Sequence, residues 1–566
     1  MHFLDESHIL IFLFQLFIIL ILARAAGEIC RRIKQPVLTA ELLVGILLGP
    51  TILGRISPEF FSFLFPDNVV QQTMLEIVSW IGVLFLLLDT GLEIDFSSAW
   101  RQKGNALIIA FSDIIVPMAI AFIPSFLLPD TYLADVDRRL FFALFMAVVM
   151  TISAMPIASR VMHDLNILKT EIGYLTMSAL AVNDIIGWIL FTIILGLFAQ
   201  TAFSYITIFF IFISVIGFSV IALTLGRYFS TFTINYFHKK NMPEPGSSFT
   251  FACLLGLLFG GITQTLGIHA LFGFFIAGII VGEAKNLKEE TRTVISQMVH
   301  SLFVPIFFVN IGLKIDFIAN FDIFPVTIVT IIGIAARFTG AWIGTFFSKV
   351  PKLNRNLISI AHTPGGMMEI VVAMLAFESG LITSKIFIAI VVSAVVSSIT
   401  IGPWMRHALN RRKDISILNF LNTDSGIVIL HTQECNDAIS SVTERVKKTI
   451  KNSDPEAIRN EISKRENEFS TAVGHCIAIP HVRMKSIKDP VIIFAFSPQG
   501  IDWNAPDGKP VHFLFFLFSP QLSNDLHIEI LSKIVKEMKI DSNQKLLLES
   551  ENKEAVSKAL KSIFQK

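Results

Sequence analysis

The sequence predicts an all-α polytopic membrane bundle of about thirteen spans, followed by a soluble α/β domain. Three observations carry this. Of 566 residues, 53% are hydrophobic and 52 are Phe, far more apolar material than one water-soluble core uses. Apolar runs recur as far as residue 408, most of them near the ~20 residues that a bilayer core requires. After Arg412 the charge density becomes ordinary and the apolar runs shorten.

The runs fall at about 8–23, 36–53, 74–92, 105–128, 139–163, 171–199, 203–227, 249–266, 268–283, 293–315, 323–348, 356–378 and 384–408. Their connecting charges give a direction. Odd-numbered loops and the C-terminal flank hold Arg24, Arg31, Arg32, Arg160, Lys169, Lys239, Lys240, Arg411 and Arg412 among many others. Even-numbered loops hold only Arg55, Arg138, Arg139, Lys314 and Lys385. By the positive-inside rule the odd loops are cytoplasmic, so the N-terminus is expected outside and the C-terminus inside a cell inner (plasma) membrane. The first residues are acidic and no small-residue cleavage site follows, so the first run is expected to be a retained helix. A net charge of +1 argues against nucleic acid as a partner; the lipid bilayer is the partner that composition demands. Cys30, Cys253, Cys435 and Cys476 are too scattered for a metal site or a disulfide framework.

Ionisable residues inside these runs are the functional candidates, because a charge at mid-bilayer is retained only where it faces protein or water. Asp184, beside Asn183, sits at the centre of the sixth run. Arg337 and Glu369 lie at the middles of the eleventh and twelfth, and Asp113 close to the middle of the fourth. Arg337 needs an anionic partner, which could be Asp113, Asp184 or Glu369. Glu41 and Asp89 lie nearer the cytoplasmic ends of their runs and are expected at the interface. His269, at the mouth of the ninth run, is expected to make a structural hydrogen bond at a helix end.

Two runs are interrupted. The fifth contains Thr151, Ser153 and Pro156, where the proline removes a donor and the hydroxyls can serve the freed backbone. The twelfth contains Pro364, Gly365 and Gly366 just before Glu369. Broken spans in matching positions of two halves point to a transport site, because half-helix ends present partial charges to ions at the midplane.

Four stretches carry a family resemblance: QPVLTAELLVGILLGP at 35–50, LLLDTGLEID at 86–95, GIHALFGFFIAG at 267–278 and VPIFFVNIGLKID at 304–316. With them residues 1–410 resemble the monovalent cation:proton antiporter superfamily, in the branch of glutathione-gated potassium efflux systems and NapA-like sodium/proton antiporters. The resemblance implies inverted repeats with crossed broken helices, a homodimer, and exchange of Na+ or K+ for H+ without any resident cofactor or enzyme activity. It also implies a scaffold of spans one to three and eight to ten around a moving core of spans four to six and eleven to thirteen. Asn183 and Asp184 would be the ion-binding pair, with Thr151 and Ser153 in the broken helix and Arg337 as the basic residue of the eleventh span. Electrogenic relatives carry two aspartates where this chain has Asn183 and Asp184, which points to electroneutral exchange. A gated potassium channel is the alternative within membrane transport.

Residues 414–566 show helical periods at 438–450 and 526–538 and strand-like runs at 491–496 and 511–518. The stretches RENEFSTAVGHCIAIPH at 465–481, GIDWNAPDGKPV at 500–511 and DLHIEIL at 525–531 resemble the fructose/mannitol/nitrogen-type EIIA domain of the phosphotransferase system. That resemblance implies a cytoplasmic regulatory domain in which His481 accepts a phosphoryl group and His527 supports it. A phosphotransferase-system phosphocarrier would then be a partner, and basic loops such as 349–355 could respond to the new charge. Cys476 stands where the family has glycine. A sugar-transport component of the phosphotransferase system is the other functional alternative, against which stands the lack of any second phosphorylation domain.

Overall fold

The computed structural model describes residues 5–33, 35–94, 104–198, 205–348, 350–413, 417–421, 426–449, 454–484, 487, 489–520 and 524–564. Asp95, which ends the 86–95 motif, and Lys349 of the basic loop lie outside them. The chain divides into two compact units, one made mainly of residues 1–405 and one mainly of residues 406–566.

The first unit is helical. Among the described residues ten helices are long and apolar enough to cross a membrane, and a bent pair, Lys352–Ala361 with Gly366–Glu378, supplies an eleventh. The expected count of thirteen is not met by length. The fifth run is two short helices, Arg139–Val149 and Met155–Asp164, and the ninth is the 13-residue Ala270–Gly282. Hydropathy alone cannot see where a run stops being helical. The seventh run also continues beyond its expected end, through a π-turn at Ala222–Gly226 to Lys239. A second π-turn, Val299–Phe303, precedes Pro305, whose missing N–H disturbs the regular ladder.

Packing sorts these helices into two bodies. In one, Asn105–Phe126 lies along Ile323–Phe347 and against Arg139–Val149, and Gly366–Glu378 also meets Arg139–Val149. In the other, Val69–Glu93 lies along Ala270–Gly282, Val37–Leu48 along Val304–Lys314, and Glu6–Arg32 covers Val37–Leu48. Gly91 and Gly278 permit the tightest of these contacts. A Cβ on Gly278 would fall 2.1 Å from the Leu88 carbonyl oxygen, and one on Gly91 2.3 Å from that of Phe275.

The second unit is a mixed sheet between two helical layers. Its strands are β1 (Ile427–Ile429), β2 (Ala472–Gly474), β3 (Ile477–Ala478), β4 (His481–Met484), β5 (Val491–Ile501) and β6 (Val511–Pro520). The order is β1-β5-β6-β3-β2, with β4 also pairing β6. Phe494, Phe496, Phe513 and Phe515 enter one core with Leu526, Ile530, Ile534 and Leu560. Their neighbours Ile493, Ala495, Leu514 and Phe516 enter the other with Ala438, Ile439, Ile458 and Ile462. Both faces of β5 and β6 are covered, which is why these strands are continuous apolar runs in the sequence. The helices expected at 438–450 and 526–538 are found as Cys435–Thr449 and Asn524–Met538.

Candidate functional site

The two interrupted spans meet. After Arg139–Val149 the backbone leaves the helix until Met155, and after Ala361 it does so until Gly366. The breaks are joined by hydrogen bonds from the Ala154 N–H to the Pro364 carbonyl, 2.6 Å, and from Ser153 Oγ to the His362 carbonyl, 2.7 Å. Thr151 Oγ1 donates to the Val148 carbonyl at 2.7 Å. Each hydroxyl spends its proton on freed backbone and keeps its lone pairs. Gly365 is required here, because a Cβ would lie 1.3 Å from Glu369 Oε2.

Arg337 and Glu369 are both fully buried and form an ion pair with nitrogen–oxygen distances of 3.2–3.3 Å. Arg337 also donates to the Ile152 carbonyl at 2.8 Å and to Gly333 at 3.0 Å, so the guanidinium ties the eleventh span to both broken ones. The partner left open by the sequence is Glu369.

Asp113 and Asn183 form a second link, with Asn183 Nδ2 donating to Asp113 Oδ2 at 3.0 Å. Asp184 is different. It is 3% exposed, yet neither carboxylate oxygen has a hydrogen-bond partner among the described residues. Trp188, one turn further along the same helix face, packs on Phe275 with ring centroids 5.8 Å apart. Gly187, one turn from Asn183, faces Ile152 instead. Asn183 therefore faces Asn105–Phe126 through its bond to Asp113, while Asp184 shares its helix face with Trp188, which packs on Ala270–Gly282 of the other body.

A cavity of about 430 Å³ opens between the bodies. Its walls include Glu41, His300 and Val304 on one side and Pro156, Arg160 and Met367 on the other, while Asp184 is not on them. Glu41 and Asp89, expected toward the cytoplasmic ends of their spans, are enclosed by neighbouring helices. They are 4% and 3% exposed, and Asp89 is paired with His300 at 3.1 Å. Burial follows because helix packing, and not only depth, sets exposure. The sequence reading missed His300; as a titratable residue inside an apolar run it carried the same signal as Asp184. His269 caps its helix, its Nδ1 accepting from the Leu271 N–H at 3.3 Å, and its ring stacks on Trp80.

In the second unit His481 and His527 lie with ring centroids 5.0 Å apart. His481 Nδ1 is 2.8 Å from the Ile479 carbonyl. A carbonyl only accepts, so Nδ1 carries the proton and Nε2 keeps its lone pair. His527 Nδ1 is 2.9 Å from Ser519 Oγ. Burial, more than the nearby Arg465 and Arg483, lowers the His481 pKa. Burial first, and then the neighbouring His481, Arg483 and Arg465, which oppose a positive charge on its ring, push His527 down to about 4. Two neutral imidazoles beside two guanidiniums can act as a nucleophile and a holder of phosphoryl oxygens. Cys476 occupies the turn between β2 and β3 at φ +60°, following His475 at +52° and Gly474 at +76°. Its left-handed backbone is the conformation that glycine adopts at least cost.

Comparison with known proteins agrees with both units. Residues 17–410 match the model of the family described as sodium/hydrogen exchanger, transmembrane, and residues 419–563 match that of the phosphoenolpyruvate-dependent sugar phosphotransferase system, EIIA 2. Cation/H(+) antiporter 17 of Arabidopsis thaliana is 28% identical over 74% of this chain and 50% of its own length. Na(+)/H(+) antiporter NhaS4 of Synechocystis is 28% identical over 71% of this chain and 97% of its own. K(+)/H(+) antiporter 1 of Saccharomyces cerevisiae is 27% identical over 71% and 47%. The chain thus spans about half the length of the plant and yeast relatives. The structure of the sodium proton antiporter MjNhaP1 from Methanocaldococcus jannaschii superposes with a TM-score of 0.54 at 19% identity, covering 72% of this chain and 99% of that one, a likeness of fold. With 394 of its 566 residues inside the family model, the chain is a multi-pass membrane protein that belongs to the sodium/hydrogen exchanger family.

Proposed function

We propose that this protein is a secondary antiporter in which Asp184 binds a monovalent cation, Na+ or K+, and a proton in turn. One observation carries the reading. Among the described residues Arg337 and Glu369 neutralise each other and Asp113 is held by Asn183, whereas both oxygens of Asp184 are unpartnered. A buried carboxylate without a partner is costly unless a proton or a cation supplies the interaction. Asn183, Thr151 and Ser153 are the neutral oxygen donors proposed to complete the cation's shell, the hard ligands that a monovalent cation takes. Residues 1–410 are the transport domain and residues 414–566 a cytoplasmic regulatory domain in which His481 is the phosphoryl acceptor and His527 its support. The protein sits in the inner (plasma) membrane as a homodimer, N-terminus outside and C-terminus inside, and a phosphotransferase-system phosphocarrier is the partner of the second domain.

The test is cation-induced dequenching of a pH dye in everted vesicles, compared across sodium, potassium and lithium. Cation-dependent proton movement that vanishes in Asp184→Asn supports the assignment; exchange that survives the substitution removes it. Phosphate incorporation from a purified phosphocarrier, lost in His481→Ala, tests the second domain separately.

A further inference from the structure

The two helical bodies touch at one end and part at the other. Val304–Lys314 belongs to one body and Gly366–Glu378 to the other, and both run away from the same cavity. Val304, Pro305 and Met367, at the near ends, are on the wall of the ~430 Å³ opening. At the far ends Lys314 Nζ is 3.1 Å from Glu378 Oε1 and 2.8 Å from Glu76 Oε1. The space between the bodies there shrinks to about 20 Å³, bordered by Asn310, Val371 and Met374 as well as these charges. Neighbouring ion pairs on this face stay within one body, Arg55 with Asp316 in the first and Lys385 with Asp322 in the second. Lys314–Glu378 crosses.

We propose that Lys314 and Glu378 form a latch that closes this face of the carrier while the opposite face is open, and that the pair must part once in every transport cycle. Glu76 lies on the same body as Lys314 and keeps the ammonium in place when Glu378 withdraws. All three side chains are partly exposed, between 28% and 42%, so water can replace the contact and the latch is weak enough to reopen. A buried pair such as Arg337–Glu369 could not serve this way, because separating it strands two charges without solvent.

The proposal rests on the exchange reading, and its test separates the two. In a chain with Cys30, Cys253, Cys435 and Cys476 replaced, Lys314→Cys with Glu378→Cys is bridged by a bifunctional methanethiosulfonate; Lys314→Cys with Glu76→Cys is the control within one body. Each chain being compared with its own unlinked double-cysteine form in proteoliposomes, the cross-body link should stop exchange and a reductant should restore it, while the control link leaves the rate of its unlinked form unchanged. Exchange that continues through a complete cross-body link, or equal arrest by both links, overturns the latch. As a second measurement, Asn310→Cys should react with an impermeant maleimide from the latch side about two to five times faster when Glu378→Gln is added. No acceleration also overturns it. An Asp184→Asn chain that still exchanges and is still arrested by the cross-body link would remove the carrier site and leave the latch.

Discussion

Arg337 and Glu369, 32 residues apart on two different helices, meet as a fully buried ion pair with the closest approach at 3.2 Å. The pair fixes the geometry around it, because the same guanidinium also holds the Ile152 carbonyl of the other broken span. Replacing Arg337 by Ala strands Glu369 without water or a counter-charge. The expected cost is about 3–5 kcal/mol, read as a lower unfolding temperature of the membrane unit. Replacing both residues together with apolar ones of similar volume should recover much of that loss while transport stays impaired. A single Arg337→Ala variant as stable as the parent would mean that the guanidinium is solvated.

Asp184→Asn should behave in the opposite way. Neither oxygen of Asp184 makes a hydrogen bond among the described residues, so an amide removes no contact seen there and the fold should melt at or above the parent's temperature. Exchange with every cation should nevertheless be lost, since an amide has no charged state. Thermal unfolding and dye dequenching on the same preparation check both halves.

Much of this arrangement was legible in the chain. Asp184, Asp113, Arg337 and Glu369 stood out because charge is rare in an apolar run, and Pro156 and Pro364 marked the breaks. Pairing was not legible. Nothing in sequence spacing favours Glu369 over Asp113 for Arg337, or joins Asp89 to His300 across 211 positions. In the soluble unit β5 and β6 were visible as apolar runs, but β2, β3 and β4 have two to four residues each, too short for any period to register.

The histidine pair gives a pH dependence with a defined sign. His527 has a folded pKa of about 4 against 6.5 for the ordinary group. Between those values the unfolded chain binds more protons than the folded one, so stability is full above pH 6.5 and falls as pH drops toward 4. Unfolding of the soluble unit, followed by its own transition in the full-length protein, should move to lower temperature across that window. His527→Gln should flatten the dependence; an unchanged slope would place the destabilising proton elsewhere.

Cys476 offers a gain of stability. A non-glycine residue in the left-handed region costs roughly 1–2 kcal/mol, and here φ is +60°. Cys476→Gly should therefore stabilise the soluble unit by about 1 kcal/mol, the greater freedom of glycine in the unfolded chain taking back part of the relief. Chemical denaturation that instead finds a loss would show that the thiol's packing against the apolar core outweighs the backbone conformation.

Stoichiometry follows from which groups are free to change charge. Asn183 cannot titrate, and its amide donates to Asp113, so it supports a fixed state of that carboxylate and adds no second proton. Glu369 is bound to Arg337 through both oxygens, and the arginine stays protonated at any physiological pH. A cycle that carries one cation or one proton on Asp184 moves equal charge in each direction, so exchange should be one for one and insensitive to membrane potential. Asn183→Asp tests the reasoning from the other side. It places a second carboxylate beside Asp184 and opposite Asp113, and carboxylates this close share protons and titrate as a unit. Proton/cation exchange in proteoliposomes at constant ion gradients should be flat against an imposed potential for the parent and should slope for Asn183→Asp wherever that variant retains transport. A steep slope in the parent would mean that Asp113 or Glu369 releases a proton during the cycle, and the single-carboxylate mechanism would fail.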